Sequence, residues 1–228
     1  MTDPLILDEG MHVLHLFAKV TDRSDRANLQ AAFKVATEDS VQVVPIAILG
    51  HKCDMGIMGI ASDVRKLRSL QTGVEQSGLE LTYSYLSVTE VSEYASGVPD
   101  AMKQARLYPD LPPEGKRAFC FYPMSKRRGE IDNWYSLDYE QRESLMMGHG
   151  KVGRTFAGRV VQLVTASTGL DDYEWGVSLF ATSMDALKDC VYSMRFDPAS
   201  AKYAEFGPFY TGYIVSAEEV ADEVGLES

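Results

Sequence analysis

Three side chains in the second half of the chain could do chemistry directly: His149, Tyr122 and Lys126. His149 lies between Gly148 and Gly150, just after a stretch that reads as a helix from Asp138 to Met147. A helix end holds a side chain firmly, and glycine neighbours leave room for a large flat ligand. Neutral imidazole binds iron well, so His149 is a candidate iron ligand, with an ordinary structural histidine equally open at this point. Tyr122 ends an apolar run and is followed by Pro123, Met124, Ser125 and the cations Lys126, Arg127 and Arg128, with Arg106 upstream. A tyrosine beside a metal centre can lose one electron, and a lysine ammonium or an arginine can hold a carboxylate. The bland alternatives are an inward strand aromatic and a solvated basic face. Gln162 interrupts the apolar run Val160, Val161, Leu163, Val164. A buried glutamine needs hydrogen-bond partners, which makes it either a satisfied core residue or one that faces a ligand. His12, His15 and His51, and the widely spaced Cys53, Cys120 and Cys190, form no metal or disulfide pattern and read as structural.

The elements that must position these residues recur twice. Met11 to Val20 reads as a strand, Thr21 to Ser40 as a helix, Val41 to Leu49 and Met55 to Ala61 as strands. Ser62-Asp63 offers a cap for a second helix, and Leu79 to Val91 alternates as a fourth strand. Pro99 to Gly115 has turn residues and no period, and reads as a linker. The order then repeats: strand Arg117 to Tyr122, helix Asp138 to Met147, strands Arg159 to Ala166 and Tyr173 to Phe180, a helix begun by Ser183, and strand Phe209 to Val215. Two βαββαβ units imply an α+β chain of two ferredoxin-like halves, residues 1–98 and 116–228, joined by residues 99–115. Each sheet carries its helices on one face, so packing the bare faces together yields a barrel-like body, a dimeric α/β barrel within one subunit.

The chain has 228 residues, 45% of them apolar and 24% charged, which is ordinary for a folded chain. Lys and Arg number 22 and Asp and Glu 33, a net charge of −11 that opposes non-specific nucleic-acid binding. No run of roughly eighteen apolar residues suggests a membrane span. Met1 to Gly10 lacks the pattern of a secretory signal, so a cytoplasmic address is expected.

The chemical residues fall in blocks: Arg106-Leu-Tyr-Pro109, Cys120-Phe-Tyr-Pro-Met-Ser-Lys-Arg-Arg128, Asn133-Trp-Tyr135, His149-Gly150 with Gly153-Arg154, Gly169-Leu-Asp-Asp-Tyr-Glu-Trp175 and Met194-Arg-Phe-Asp197. In this order they resemble the chlorite dismutase-like superfamily, and within it the coproheme decarboxylases of bacterial heme synthesis. The resemblance covers most of the second half; the first half matches only in its pattern of elements. It implies that the C-terminal half holds the porphyrin and that subunits form a homopentamer. It makes His149 the proximal iron ligand, Tyr122 the redox-active tyrosine beside a reacting propionate, and Lys126 an assistant at the second propionate. Arg106 and Ser200 would hold propionates. Met124, Ser125 and Trp134 would contribute to the binding pocket, and Gln162 would lie above the iron. Chlorite dismutases place an arginine at that last position; Arg159 lies three residues away on the same strand and points to the other face. Chlorite chemistry is therefore not expected.

The implied reaction is peroxide-dependent oxidative decarboxylation of iron coproporphyrin III, at once substrate and cofactor. Two propionates become vinyls through a tyrosyl radical, and heme b is the product. A ferrochelatase is the implied supplier. The rival readings are a heme carrier and a weak heme peroxidase acting on an outside donor. Two departures stand against the family pattern: the stretch between Arg106 and Tyr122 is about two residues longer, which weakens the Arg106 match, and Ala204 stands where glycine is expected.

Overall fold

Asp25, Asp63, Asp138, Ser183 and Asp197 each stand just before a helix and accept a backbone N–H from its first turn. These caps satisfy donors that the helix cannot pair internally, and so fix where each helix begins. The computed structural model describes residues 3–95 and 97–226. Its first unit comprises β1 (His12–Lys19), α1 (Arg26–Glu38), β2 (Gln42–Ile48), β3 (Met55–Ala61), α2 (Val64–Gln76) and β4 (Glu80–Thr89). After α3 (Asp100–Leu107) the second unit runs β5 (Ala118–Lys126), α4 (Tyr139–Arg154), β6 (Val160–Ala166), β7 (Trp175–Ala181) and α5 (Met184–Met194). It continues through α6 (Pro198–Tyr203) and β8 (Ala204–Phe206) to β9 (Tyr210–Ile214), and α7 (Val220–Glu223) follows.

Within each unit the strand order is the same, β4-β1-β3-β2 and β9-β5-β7-β6, so each is a ferredoxin-like sheet. Two cross-pairings join them. β2 pairs with β9 (Ile46 opposite Ile214), and β4 pairs with β6 (Val88 opposite Ala166). The result is a closed ring of eight antiparallel strands, with β8 continuing beside the far end of β5. Closure leaves the main strands without open edges.

Period-two alternation divides each strand between an inner and an outer core. Val13 and Phe17 of β1, Phe119 and Phe121 of β5 and Phe180 of β7 fill the barrel. Leu14, Leu16 and Ala18 face outward onto α1 and α2, which present Leu29, Phe33 and Ala36, and Leu67, Leu70 and Val74, at helical spacing. On the second sheet, Cys120, Tyr122, Val177 and Leu179 face outward toward α5, which presents Ala186, Leu187 and Cys190.

The structure corrects four expectations. The stretch read as a linker contains α3, whose end is tied to β4 because Thr89 Oγ1 donates to the Leu107 carbonyl at 2.7 Å. β5 continues past Pro123 to Lys126, because β7 and β8 pair with its far end. α4 runs on to Arg154, so His149 lies inside the helix and does not close it. The short α6 and β8 were not expected at all; they pack on the end of β5.

Candidate functional site

The outer face of the second sheet is a platform of register rows. Cys120, Leu179 and Gln162 form one row, Tyr122, Val177 and Val164 the next, and Met124, Trp175 and Ala166 the third. Above the platform stand α4, α5 and α6. α4 packs against α6 and α5 and has no buried residue. A 16-residue helix with no buried side chain leaves its inner surface available to something other than protein.

α4 carries His149. Its Nδ1 lies 2.7 Å from Oδ2 of Asp197, the cap residue of α6. The Asp197 side chain is 1% exposed and also accepts the Ser200 N–H, and Ser200 Oγ sits 3.5 Å from the same imidazole nitrogen. A carboxylate on Nδ1 fixes the tautomer and turns the Nε2 lone pair outward. Nε2 has no hydrogen-bond partner among the described residues, and the side chain is 31% exposed.

Tyr122 is stacked on Phe209 (centroids 4.5 Å apart) and meets Phe206 edge-on. Burial pushes its phenol well above the ordinary range, so it stays protonated, and its hydroxyl has no protein partner among the described residues. The guanidinium of Arg195, at the end of α5, lies 3.8 Å from the Phe206 ring centroid and acts on Tyr122 in the opposite sense.

Lys126 is 8% exposed. Its Nζ donates to the Ala199 carbonyl at 3.3 Å and lies 4.1 Å from the Trp134 ring centroid, while Trp134 packs edge-on against Tyr203. An ammonium has three donors, and among the described residues no carboxylate comes within ion-pair distance of this one. Burial lowers its pKa to about 8, against the more distant pull of the Asp197 and Glu174 carboxylates. A buried ammonium with one carbonyl and one ring face has donor capacity left for a carboxylate.

The structure therefore gathers Tyr122, Met124, Lys126, Trp134, His149, Gln162 and Ser200 around one face. Two expected members fall elsewhere. Ser125 alternates to the opposite face of β5, where its hydroxyl accepts the Glu174 N–H at 3.3 Å. Arg106 is exposed on α3, held with that helix against β4, and makes no contact with the group. Asp197, Arg195 and Cys190 were given no role from sequence. Asp197 was the detectable one: Asp followed by Pro198 is a helix cap and first-turn pair, and a helix there aims the carboxylate back at α4.

Among the described residues no three His, Cys, Asp or Glu side chains gather to hold a bare metal ion. One imidazole can hold a metal that brings its other ligands with it. No helix of the described residues is long and apolar enough to cross a membrane.

Comparison with known proteins agrees with this architecture. The family described as chlorite dismutase matches residues 23–215. A heme-binding protein from Thermus thermophilus, identified as such from its structure, is 32% identical and superposes with a TM-score of 0.83 over 98% of each chain. A variant chlorite dismutase from Candidatus Nitrospira defluvii superposes with a TM-score of 0.76 at 17% identity, over 96% of this chain and 97% of that one, which is a likeness of fold. A curated protein of Natronomonas pharaonis, named as a candidate heme-binding protein, is 38% identical over 96% of this chain. The chain spans 42% of that relative's length.

Proposed function

The chain belongs to the chlorite dismutase family, and we propose that it binds iron coproporphyrin III through His149 and converts it, with hydrogen peroxide, to heme b. The observation that carries this reading is Lys126: a buried ammonium with no carboxylate at ion-pair distance among the described residues, two rows along the same strand face from a phenol that has no partner among them. A porphyrin with propionates supplies the missing carboxylates.

The residues present fit such a group. His149 offers Nε2 with its tautomer held by Asp197, and α4 offers an unburied inner surface. When bound, the iron supplies the oxidising power by reaction with peroxide. The chain's part is to orient and to move hydrogen. Tyr122 gives up its phenolic hydrogen atom and recovers one from the β-carbon of the adjacent propionate. Loss of a further electron and of carbon dioxide leaves a vinyl group. Each propionate carboxylate gives up two electrons and one proton in all, and with one further proton from solvent these reduce one peroxide to two waters. Lys126 holds the second carboxylate. Gln162 is neutral and a weak acid–base group, which keeps ordinary peroxidase turnover slow. The same reading expects a closed homopentamer, delivery of the porphyrin by a ferrochelatase and action in the cytoplasm.

A heme-binding or carrier role is the second reading, favoured by the names of the two heme-binding relatives. Titration of peroxide into the coproporphyrin-loaded protein separates the two. Stepwise conversion of the two propionates, read by mass spectrometry of the extracted porphyrin, supports the enzyme. An unchanged porphyrin with little peroxide consumed supports the carrier.

A further inference from the structure

Gln162 does not stand free on the platform. Its Nε2 donates to Sγ of Cys190 at 3.6 Å, and Cys190, on the sheet-facing side of α5, is 1% exposed. Burial pushes that thiol up to about 11, so the sulfur is a neutral acceptor. Gly153 of α4 stands beside the same end of the amide, with room for about a methyl group: a Cβ there would lie 3.6 Å from Nε2 and 3.3 Å from Met194 Cε. The other end is open. Oε1 has no hydrogen-bond partner among the described residues and is not one of the sequestered, unpartnered polar atoms.

We propose that Cys190 is a positioning residue that fixes the Gln162 amide with its carbonyl oxygen toward a small molecule at the iron, so that the site takes neutral protonated ligands, hydrogen peroxide and water, in preference to anions. This rests on the reading that Gln162 faces the iron. The chemistry follows from the inventory of an amide. Its NH2 group donates and would steady a bound anion; its carbonyl oxygen only accepts, so it pairs with an O–H and repels a negative charge. With the NH2 group engaged by sulfur on the Gly153 side, the donor end is turned from the ligand. Turning the amide over would set two acceptors, oxygen and sulfur, against each other, with only the weak S–H donor to relieve them.

The test uses protein loaded with ferric heme b, titrated by absorbance with azide, fluoride and imidazole. Cys190→Ala frees the amide to turn and donate, and azide and fluoride should then bind roughly tenfold tighter. Neutral imidazole should be unaffected. Gln162→Ala removes the carbonyl and should raise anion affinity by less than Cys190→Ala does. A Cys190→Ala protein that fails to hold heme is replaced by Cys190→Val in the same titration. If Gln162→Ala changes azide affinity and Cys190→Ala or Cys190→Val does not, the positioning role is overturned while the reading of Gln162 stands. If neither position matters, Gln162 does not face the ligand, and the inference falls with that reading.

Discussion

Lys126 carries a positive charge into a place water barely reaches, and the consequences are measurable. Below about pH 8 the ammonium is present; as pH rises through 8 it is lost. Affinity for the tetracarboxylate porphyrin should therefore be flat below pH 8 and fall above it, with at most one proton per ligand at this site. Fluorescence-quenching titration from pH 6 to 10 checks this, and Lys126→Met should remove the pH dependence. The same substitution should stabilise the ligand-free protein by roughly 1 kcal/mol at pH 7, because a desolvated cation is replaced by a side chain of similar shape. On α4, the Asp197 carboxylate holds His149 Nδ1 at 2.7 Å. Asp197→Asn should leave heme bound but weaken it by roughly 10–100-fold, the effect usual for an outer partner of a metal-bound histidine. His149→Ala should abolish the axial ligand altogether, and retention of wild-type heme spectra in that variant would remove His149 from the account.

At the scale of elements, α4 is the part whose position matters most and whose sequence says least. It has three glycines in its second half and no buried side chain. Its start is held by a reciprocal cap between Asp138 and Gln141, and by contacts from the segment after β4, where Arg142 Nε donates to the Tyr94 hydroxyl at 2.9 Å. Gly153 lets the other end approach the sheet, so Gly153→Leu should push α4 off Gln162 and Met194. Heme affinity should drop at least about tenfold by spectroscopic titration, with little loss of helix by circular dichroism. The strands and the capped helices of both halves were legible because alternation and Asp or Ser caps are local signals. The end of α4 was not: glycines at 148, 150 and 153 read as a stop, and only docking onto α5 and α6 keeps them helical. α6 offered only the Asp197-Pro198 start signal and β8 none, since a six-residue helix and a three-residue strand exist only against the extended end of β5. Of the candidate site, Tyr122, Lys126, His149 and Gln162 came from residue type and from resemblance. Cys190 and Arg195 gave no signal, because their roles depend on which face of α5 meets the sheet.

For the whole molecule, the closed ring of strands makes the two halves one cooperative unit. Gly212 sits at the β2–β9 seam, where a Cβ would come within 1.9 Å of the Ala47 carbonyl oxygen. Gly212→Ala should therefore open a seam distant in sequence from the first half and still lower the single unfolding transition of both, by roughly 2–4 kcal/mol in urea titration. The first half closes the ring by pairing β2 with β9 and β4 with β6, while β7, paired with both β5 and β6, keeps Tyr122 and Gln162 on one face. The proposed chemistry is oxidation of the bound porphyrin's own propionates by way of Tyr122. The most direct measurement is the count of vinyl groups formed per peroxide consumed, by mass spectrometry of porphyrin extracted from the wild-type protein and from Tyr122→Phe. One vinyl per peroxide, two in succession, is expected in the wild type and almost none in the variant. Peroxide consumed at the wild-type rate with the porphyrin unchanged, or conversion undiminished in Tyr122→Phe, would contradict it.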